Sequence, residues 1–272
     1  MSSLQLRVNG IELFVETMGD GGPCVVVAHG LMGSVALTGR FGERSAALAA
    51  RGLRVVAYDA RGHGRSDGTR EPADYRWAQH AGDLAALIET LGLAPASVYG
   101  GSMGAGSALL VAMDRPELLD RIVLRAPPPF ERDLRVARRT FLPLAAAYAW
   151  LGPARTARLV TALPSVRRMQ RENPQNDLYD FFASQRRETV VPAIRGLLAE
   201  RDPIPVARFS HIGHETLVVA HPGDPIHPLA SAERLIERLP RARLVTAPSA
   251  GFFAAHPAAL TDLVADFLLS RR

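Results

Sequence analysis

The chain has no lysine: all 32 of its Lys/Arg positions are arginine. That absence excludes Schiff-base chemistry on a side-chain amine and a phosphate loop built around lysine. A single cysteine, Cys24, rules out an intramolecular disulfide and argues against a thiolate metal site. No apolar run is long enough to span a bilayer. The opening stretch MSSLQLRVNGIELFVE lacks the basic segment, apolar segment and small-residue cleavage site of a secretory leader. A cytoplasmic protein with no membrane partner is therefore expected.

The balance of charge is positive, +5 at neutral pH. Arginine stays protonated up to about pH 12, so the sequence pI near 10.1 reflects residue choice more than a strong field at pH 7. A GC-rich genome would write its cations this way. No nucleic-acid motif accompanies the charge, and nucleic acid is not expected as a partner. The excess is local: Glu131 to Arg201 holds thirteen arginines against seven acidic residues. Such a segment is either a solvated helical surface or a lid that favours an anionic substrate or a carrier partner.

The 272 residues suffice for one large α/β domain with an insertion. LQLRVNG and IELFVETMG read as two strands around an Asn9-Gly10 turn. Thereafter short apolar runs (CVVVAHG, RVVAYDA, ASVYGGS, RIVLRAP) alternate with helical stretches, which predicts a mostly parallel sheet flanked by helices. After APPPF the pattern becomes proline-broken helices. The strand pattern returns with ETLVVAHPGD and ARLVTAPS, and PAALTDLVADFLLSRR closes the chain as a helix with Pro257 in its first turn. Residues 1–130 and 206–272 are thus expected to form the core, and 131–205 a helical cap.

The strongest motif is Gly100-Gly101-Ser102-Met103-Gly104, a G-x-S-x-G placed between a predicted strand and a predicted helix. Serine at such a turn needs small neighbours so that strand and helix can approach, and its hydroxyl then stands above the sheet. With His29-Gly30 ending an early strand and AHPGDPIHP following a late one, the chain resembles the α/β-hydrolase family of serine type along nearly its whole length. The resemblance implies that Ser102 is the nucleophile, that Asp224 is the acid, and that Leu31 and Met103 give backbone N–H groups to an oxyanion hole. His29 is expected to tie its loop down. His29, Gly30, Phe252 and Phe253 are candidates for the substrate pocket. Asp59, Arg61 and His63 of YDARGHGRSDG are read as loop scaffolding. No metal or organic cofactor is implied.

One component is missing. The family's histidine usually follows a glycine after the last strand, but here Gly251 is followed by Phe252. A phenyl ring cannot accept a proton, and serine without a base is a weak nucleophile. His221 and His227 lie in the acid's own loop, where packing is the expected role. Four accounts stay open: an introduced substitution of a parental histidine, a natural loss with non-hydrolytic cyclase- or lyase-type chemistry, a protein that binds a small molecule without turnover, or His256 as substitute base. The scaffold suits acyl transfer on a small carbonyl substrate (ester, thioester or amide), hydrophobic or anionic. Oligomeric state is not legible.

Overall fold

A computed structural model describes residues 1–38, 45–130, 134–172, 177–200, 204–249 and 251–270. Eight strands form one sheet: β1 (Ser2–Val8), β2 (Ile11–Met18), β3 (Cys24–Ala28), β4 (Arg54–Tyr58), β5 (Ala96–Gly101), β6 (Leu119–Arg125), β7 (Glu215–Ala220) and β8 (Ala242–Thr246). Their spatial order is β1-β2-β4-β3-β5-β6-β7-β8. The hairpin β1–β2 pairs antiparallel through the Asn9-Gly10 turn, where both residues take positive φ. This is the two-residue turn geometry that matches strand twist. From β4 to β8 every pairing is parallel.

The central strands are apolar throughout because both sheet faces are covered. Val26 and Ala28 face one side, with Leu84, Leu87 and Ile88 of α3 (Trp77–Thr90) and Ala105, Ala108 and Leu109 of α4 (Met103–Asp114). Val25 and Val27 face the other, with α2 (Ser45–Ala50), which follows the short α1 (Val35–Thr38), and with the closing helix. The alternation is the period-two pleat of a strand, with successive side chains on opposite faces.

Between β6 and β7 the chain leaves the sheet and builds α5 (Leu134–Leu151), α6 (Pro153–Ala162), α7 (Pro164–Glu172), α8 (Leu178–Ala183) and α9 (Arg187–Leu197). The sequence expects a cap over 131–205, of which residues 131–133, 173–176 and 201–203 lie outside the described residues. Its inner side packs Ala137, Ala145, Tyr148, Val190 and Ile194 around Met32 of the loop after β3. The indole N–H of Trp77 in α3 donates to Leu197 O at 2.9 Å, which ties α9 to the core. The chain then forms α10 (Leu229–Ile236), α11 (Phe252–Ala255) and α12 (Pro257–Leu269), the last with Pro257 in its first turn.

Candidate active site

Parallel order brings three loops together at the carboxyl ends of β3, β5 and β7, the edge where open α/β sheets place their ligands. The middle loop is the turn into α4. Ser102 sits there at φ 48°, ψ −106°, a conformation that costs a non-glycine residue energy and is held by its surroundings. Its N–H donates to Arg125 O of β6 at 3.0 Å, and Gly104 N–H donates to His29 O at 3.1 Å. The approach that the two glycines permit is close. A Cβ on Gly104 would lie 2.1 Å from Ala28 O, and one on Gly100 would lie 2.5 Å from the Gly104 backbone. Neither obstacle is a side chain that can swing away. Gly104→Ala is accordingly expected to cost about 3 kcal/mol or more of stability, at the upper end for overpacking. The shift in chemical-denaturation midpoint measures it, and a loss under about 1 kcal/mol would contradict this packing.

The loop after β3 leans over the serine. A Cβ on Gly30 would lie 3.2 Å from Ser102 Cβ and 3.9 Å from its Oγ. Leu31 follows, and Met103 is the first residue of α4, where backbone N–H groups have no intrahelical acceptor. His29 does not line this space. It is buried, its Nδ1–H donates to Gly30 O at 2.8 Å, and its Nε2 accepts Ala60 N–H at 2.9 Å. Both ring nitrogens are thus occupied by loop backbone, so the substrate-pocket role considered for His29 gives way to the loop-tying one.

His29 is the first of three buried histidines in contact. Its ring centroid lies 5.2 Å from that of His63, which lies 6.3 Å from that of His80 on α3. His63 Nδ1–H donates to Arg61 O, and Arg61 in turn forks onto both carboxylate oxygens of buried Asp83 at 2.6 and 2.7 Å. Asp59 accepts the N–H groups of Val35 and Arg65. The scaffolding expected of this stretch is what its hydrogen bonds describe. Burial pushes His29 down to about 4 and His63 down to about 3, and it holds His80 well below the usual imidazole range.

The loop after β7 supplies what the sequence reading did not find. His227 Nε2 lies 2.8 Å from Ser102 Oγ, and His227 Nδ1 lies 2.9 Å from Asp224 Oδ2. An ionised carboxylate only accepts, so Nδ1 carries the proton and Nε2 is left to accept the serine hydroxyl. Asp224 Oδ1 accepts the N–H groups of Ile226 and His227 at 2.8 and 2.9 Å. Burial alone would raise the Asp224 carboxyl. The hydrogen bond from His227, together with the two N–H donors, outweighs it and holds the group well below the carboxylate range. His221 Nε2 lies 3.7 Å from the same Oδ2, and its Nδ1–H donates to Pro222 O.

The packing role expected of His227 is therefore replaced by a bridge between acid and serine. The position after the last strand has a different task. Phe252 opens α11, packs against the core beneath α12, and stacks on His256 with centroids 4.7 Å apart. Phe253 is buried in that core rather than lining a pocket. His256 is exposed, and its Nδ1 bonds back to Phe252 O within its own turn. The side chain hydrogen-bonded to Ser102 Oγ is His227, while His256 Nδ1 is turned to Phe252 O.

A signal for His227 existed in the sequence. In Asp224-Pro225-Ile226-His227, Asp and Pro are favoured at the first two positions of a β-turn, and an Asp side chain there bonds backbone two residues on. Such a turn brings residues three apart within about 7 Å, so an acid and an imidazole can meet inside one loop. Among the described residues there is no cluster of three or more side chains suited to hold a metal, and no helix is long and apolar enough to cross a membrane.

Comparison with known proteins agrees with the sheet order. The family model described as the alpha/beta hydrolase fold matches residues 23–258. A protein of Caulobacter vibrioides named as a putative carbamate hydrolase is 30% identical over 263 residues, which is 91% of this chain and 93% of that one. A mouse protein named as an sn-1-specific diacylglycerol lipase is 38% identical over 103 residues, 38% of this chain. Among solved structures, an enol-lactonase of Burkholderia xenovorans superposes with a TM-score of 0.82 at 23% identity, covering 98% of this chain and all of that one. An esterase of Exiguobacterium antarcticum superposes with a TM-score of 0.77 at 20% identity, covering 99% and 100%.

Proposed function

The chain belongs to the alpha/beta hydrolase family, and from that premise we propose that it hydrolyses a small carbonyl substrate of the ester, lactone or carbamate kind through Ser102, His227 and Asp224. The observation that carries this reading is the unbroken relay from Ser102 Oγ to His227 Nε2 and from His227 Nδ1 to Asp224 Oδ2.

In this mechanism the Ser102 oxygen bonds to the carbonyl carbon as its proton passes to His227 Nε2. The oxyanion so formed takes hydrogen bonds from the Leu31 and Met103 N–H groups, whose value lies in being aimed before the charge appears. The bond to the leaving group breaks, and His227 returns the proton to the departing oxygen or nitrogen. Water then attacks the acyl-serine ester while His227 takes its proton, and the acid product leaves with Ser102 restored. Asp224 stays ionised throughout. It fixes the imidazole tautomer and stabilises the imidazolium.

Residues 131–205 act as the cap. The partly buried Phe141, Phe181 and Phe182 face the same cluster as Leu31, Met32 and Ile226, which favours a substrate with an apolar acyl or ring portion. The non-hydrolytic and binding-only alternatives drew on the lack of a base, and His227 removes that motive. Covalent capture tests the reading. An activated phosphonate is expected to add its mass at Ser102 in intact-protein and peptide mass spectrometry, and Ser102→Ala to abolish the adduct. Labelling that persists in Ser102→Ala, or none in the parent chain, would reject Ser102 as the nucleophile.

A further inference from the structure

Of the eleven large apolar side chains exposed among the described residues, eight lie between positions 136 and 179, on the cap helices. Trp150, at the end of α5, is 84% exposed, and Leu151, Leu159, Leu163 and Met169 follow it along the chain. On α6 the buried positions are Thr156 and Ala157, so the helix turns Arg155, Arg158, Leu159 and Ala162 away from the protein at a spacing of three and four. On α7 the exposed Arg167, Arg168 and Arg171 surround Met169. Among the described residues none of these five arginines has a carboxylate partner. Exposed apolar side chains in this number mark a contact surface, not the ordinary scatter of single residues.

A cavity of about 240 Å³ opens between α6, α7 and the start of α8. Arg167 and Arg171 line it with Thr161 and Gln170, and Val166 and Leu178 supply its apolar wall. Two guanidinium groups four residues apart on one helix face repel each other. A phosphodiester set between them would relieve that repulsion through charge-assisted hydrogen bonds.

We propose that the outer face of the cap, α6 and α7 with Trp150, docks on an anionic lipid surface, with the Arg167–Arg171 cavity seating a phosphate headgroup. The surface alternates arginine with tryptophan, leucine and methionine. That is the make-up of elements that lie in the interfacial plane of a bilayer, where the arginine stems snorkel and the indole sits at headgroup level. A neutral apolar partner would leave five guanidinium charges uncompensated, whereas a phosphatidylglycerol surface compensates each of them. The sequence reading expected no membrane partner because it considered only spanning and targeting segments. Which side of each cap helix faces out was not legible. The proposal stands independently of the triad.

The protein carries its own reporter. Its two tryptophans are Trp77, which is buried and bonded to Leu197 O, and Trp150. Titrating the full chain with phosphatidylglycerol-rich vesicles at low salt is expected to shift Trp150 emission to the blue and to sediment the protein with the vesicles. Added salt should reverse both, and pure phosphatidylcholine should cause neither. The triple variant Arg155→Gln/Arg158→Gln/Arg167→Gln should partition on the order of a hundredfold more weakly, at about fivefold for each arginine near the surface. Its hydrolysis of a soluble short-chain ester should be unchanged. Three results would overturn the proposal: no shift with anionic vesicles, equal binding to phosphatidylcholine, or a triple variant that binds like the parent. A dimer in gel filtration whose Trp150 emission is already blue without lipid would assign the face to a second copy and overturn it as well.

Discussion

His227→Ala is expected to lower kcat/KM on an activated short-chain ester by a factor on the order of 10⁴ to 10⁶, the range seen when a triad histidine or its orienting acid is disabled. Ser102 keeps its strained backbone and its oxyanion donors, so the residue left behind is a hydroxyl with no proton acceptor at 2.8 Å. Asp224→Asn should cost a comparable factor, because an amide cannot hold the imidazole in the tautomer that leaves Nε2 free. The contrast with the loop after β8 is the sharper part of the expectation. Phe252→His, Phe252→Leu and His256→Ala should each leave the rate within about threefold, since triad members act as a unit and no vacancy exists for a second base. If Phe252→His instead raised activity by orders of magnitude, or if His256→Ala abolished it, the base would belong to the loop after β8 and the His227 assignment would fall.

Acidification supplies the second large effect. In the unfolded chain His29, His63 and His80 take up protons near pH 6.5, whereas in the folded chain burial delays this to about 4 for His29, about 3 for His63, and well below 6.5 for His80. Between those values the unfolded state holds more protons than the folded one. Stability is therefore whole above pH 6.5 and declines as pH falls toward the folded values, by up to about 1.4 kcal/mol per pH unit for each ring. His29 and His63 between pH 6.5 and 5 amount to roughly 3 kcal/mol, and His80 adds to this in the same direction, which is a large share of the whole stability of many domains. Asp59 works in the opposite direction, because burial raises its carboxyl, but it is one group against three. Thermal melts in a pH series should show a steep fall in Tm below about pH 6.5. Among the described residues His80 Nε2 is buried with no hydrogen-bond partner, so His80→Leu should not weaken the protein at pH 8 and should make the acid slope shallower. An unchanged slope in that variant would dismiss the cluster as the cause.

The fold was largely written in local pattern. Strands buried on both faces announced themselves as unbroken Val/Ala runs, and the Gly-rich turn around Ser102 announced strand, bend and helix at once. Asp224, proposed as the acid, was expected through the resemblance of AHPGDPIHP to the family's acid loop, which the end of β7 made easy to place. The proposed base, His227, was not legible, because a base was sought by position after β8, where Phe252 stands. Its mark is a three-residue spacing inside a turn, which competes with every Asp-Pro turn that has no chemistry. The short helix α11 was missed too. Its four residues carry no periodicity, and Phe253 enters the core for packing alone. The outward apolar side chains of the cap escaped for a related reason: they stand exposed on helices that carry apolar residues on more than one side, so amphipathic pattern alone gives no direction.

The proposed assignment, with acid and base three residues apart on one loop, changes how the protein can vary. In a layout with the acid after β7 and the base after β8, two separate segments must hold their register together, and an insertion in either uncouples them. Here Asp224 to His227 is inherited as a single short cassette, braced by two backbone N–H groups to its own carboxylate. Under that assignment the chain from α10 to the end of α12 is released from proton handling. That stretch is free to drift, lengthen or acquire new surface roles while the chemistry upstream stays in step.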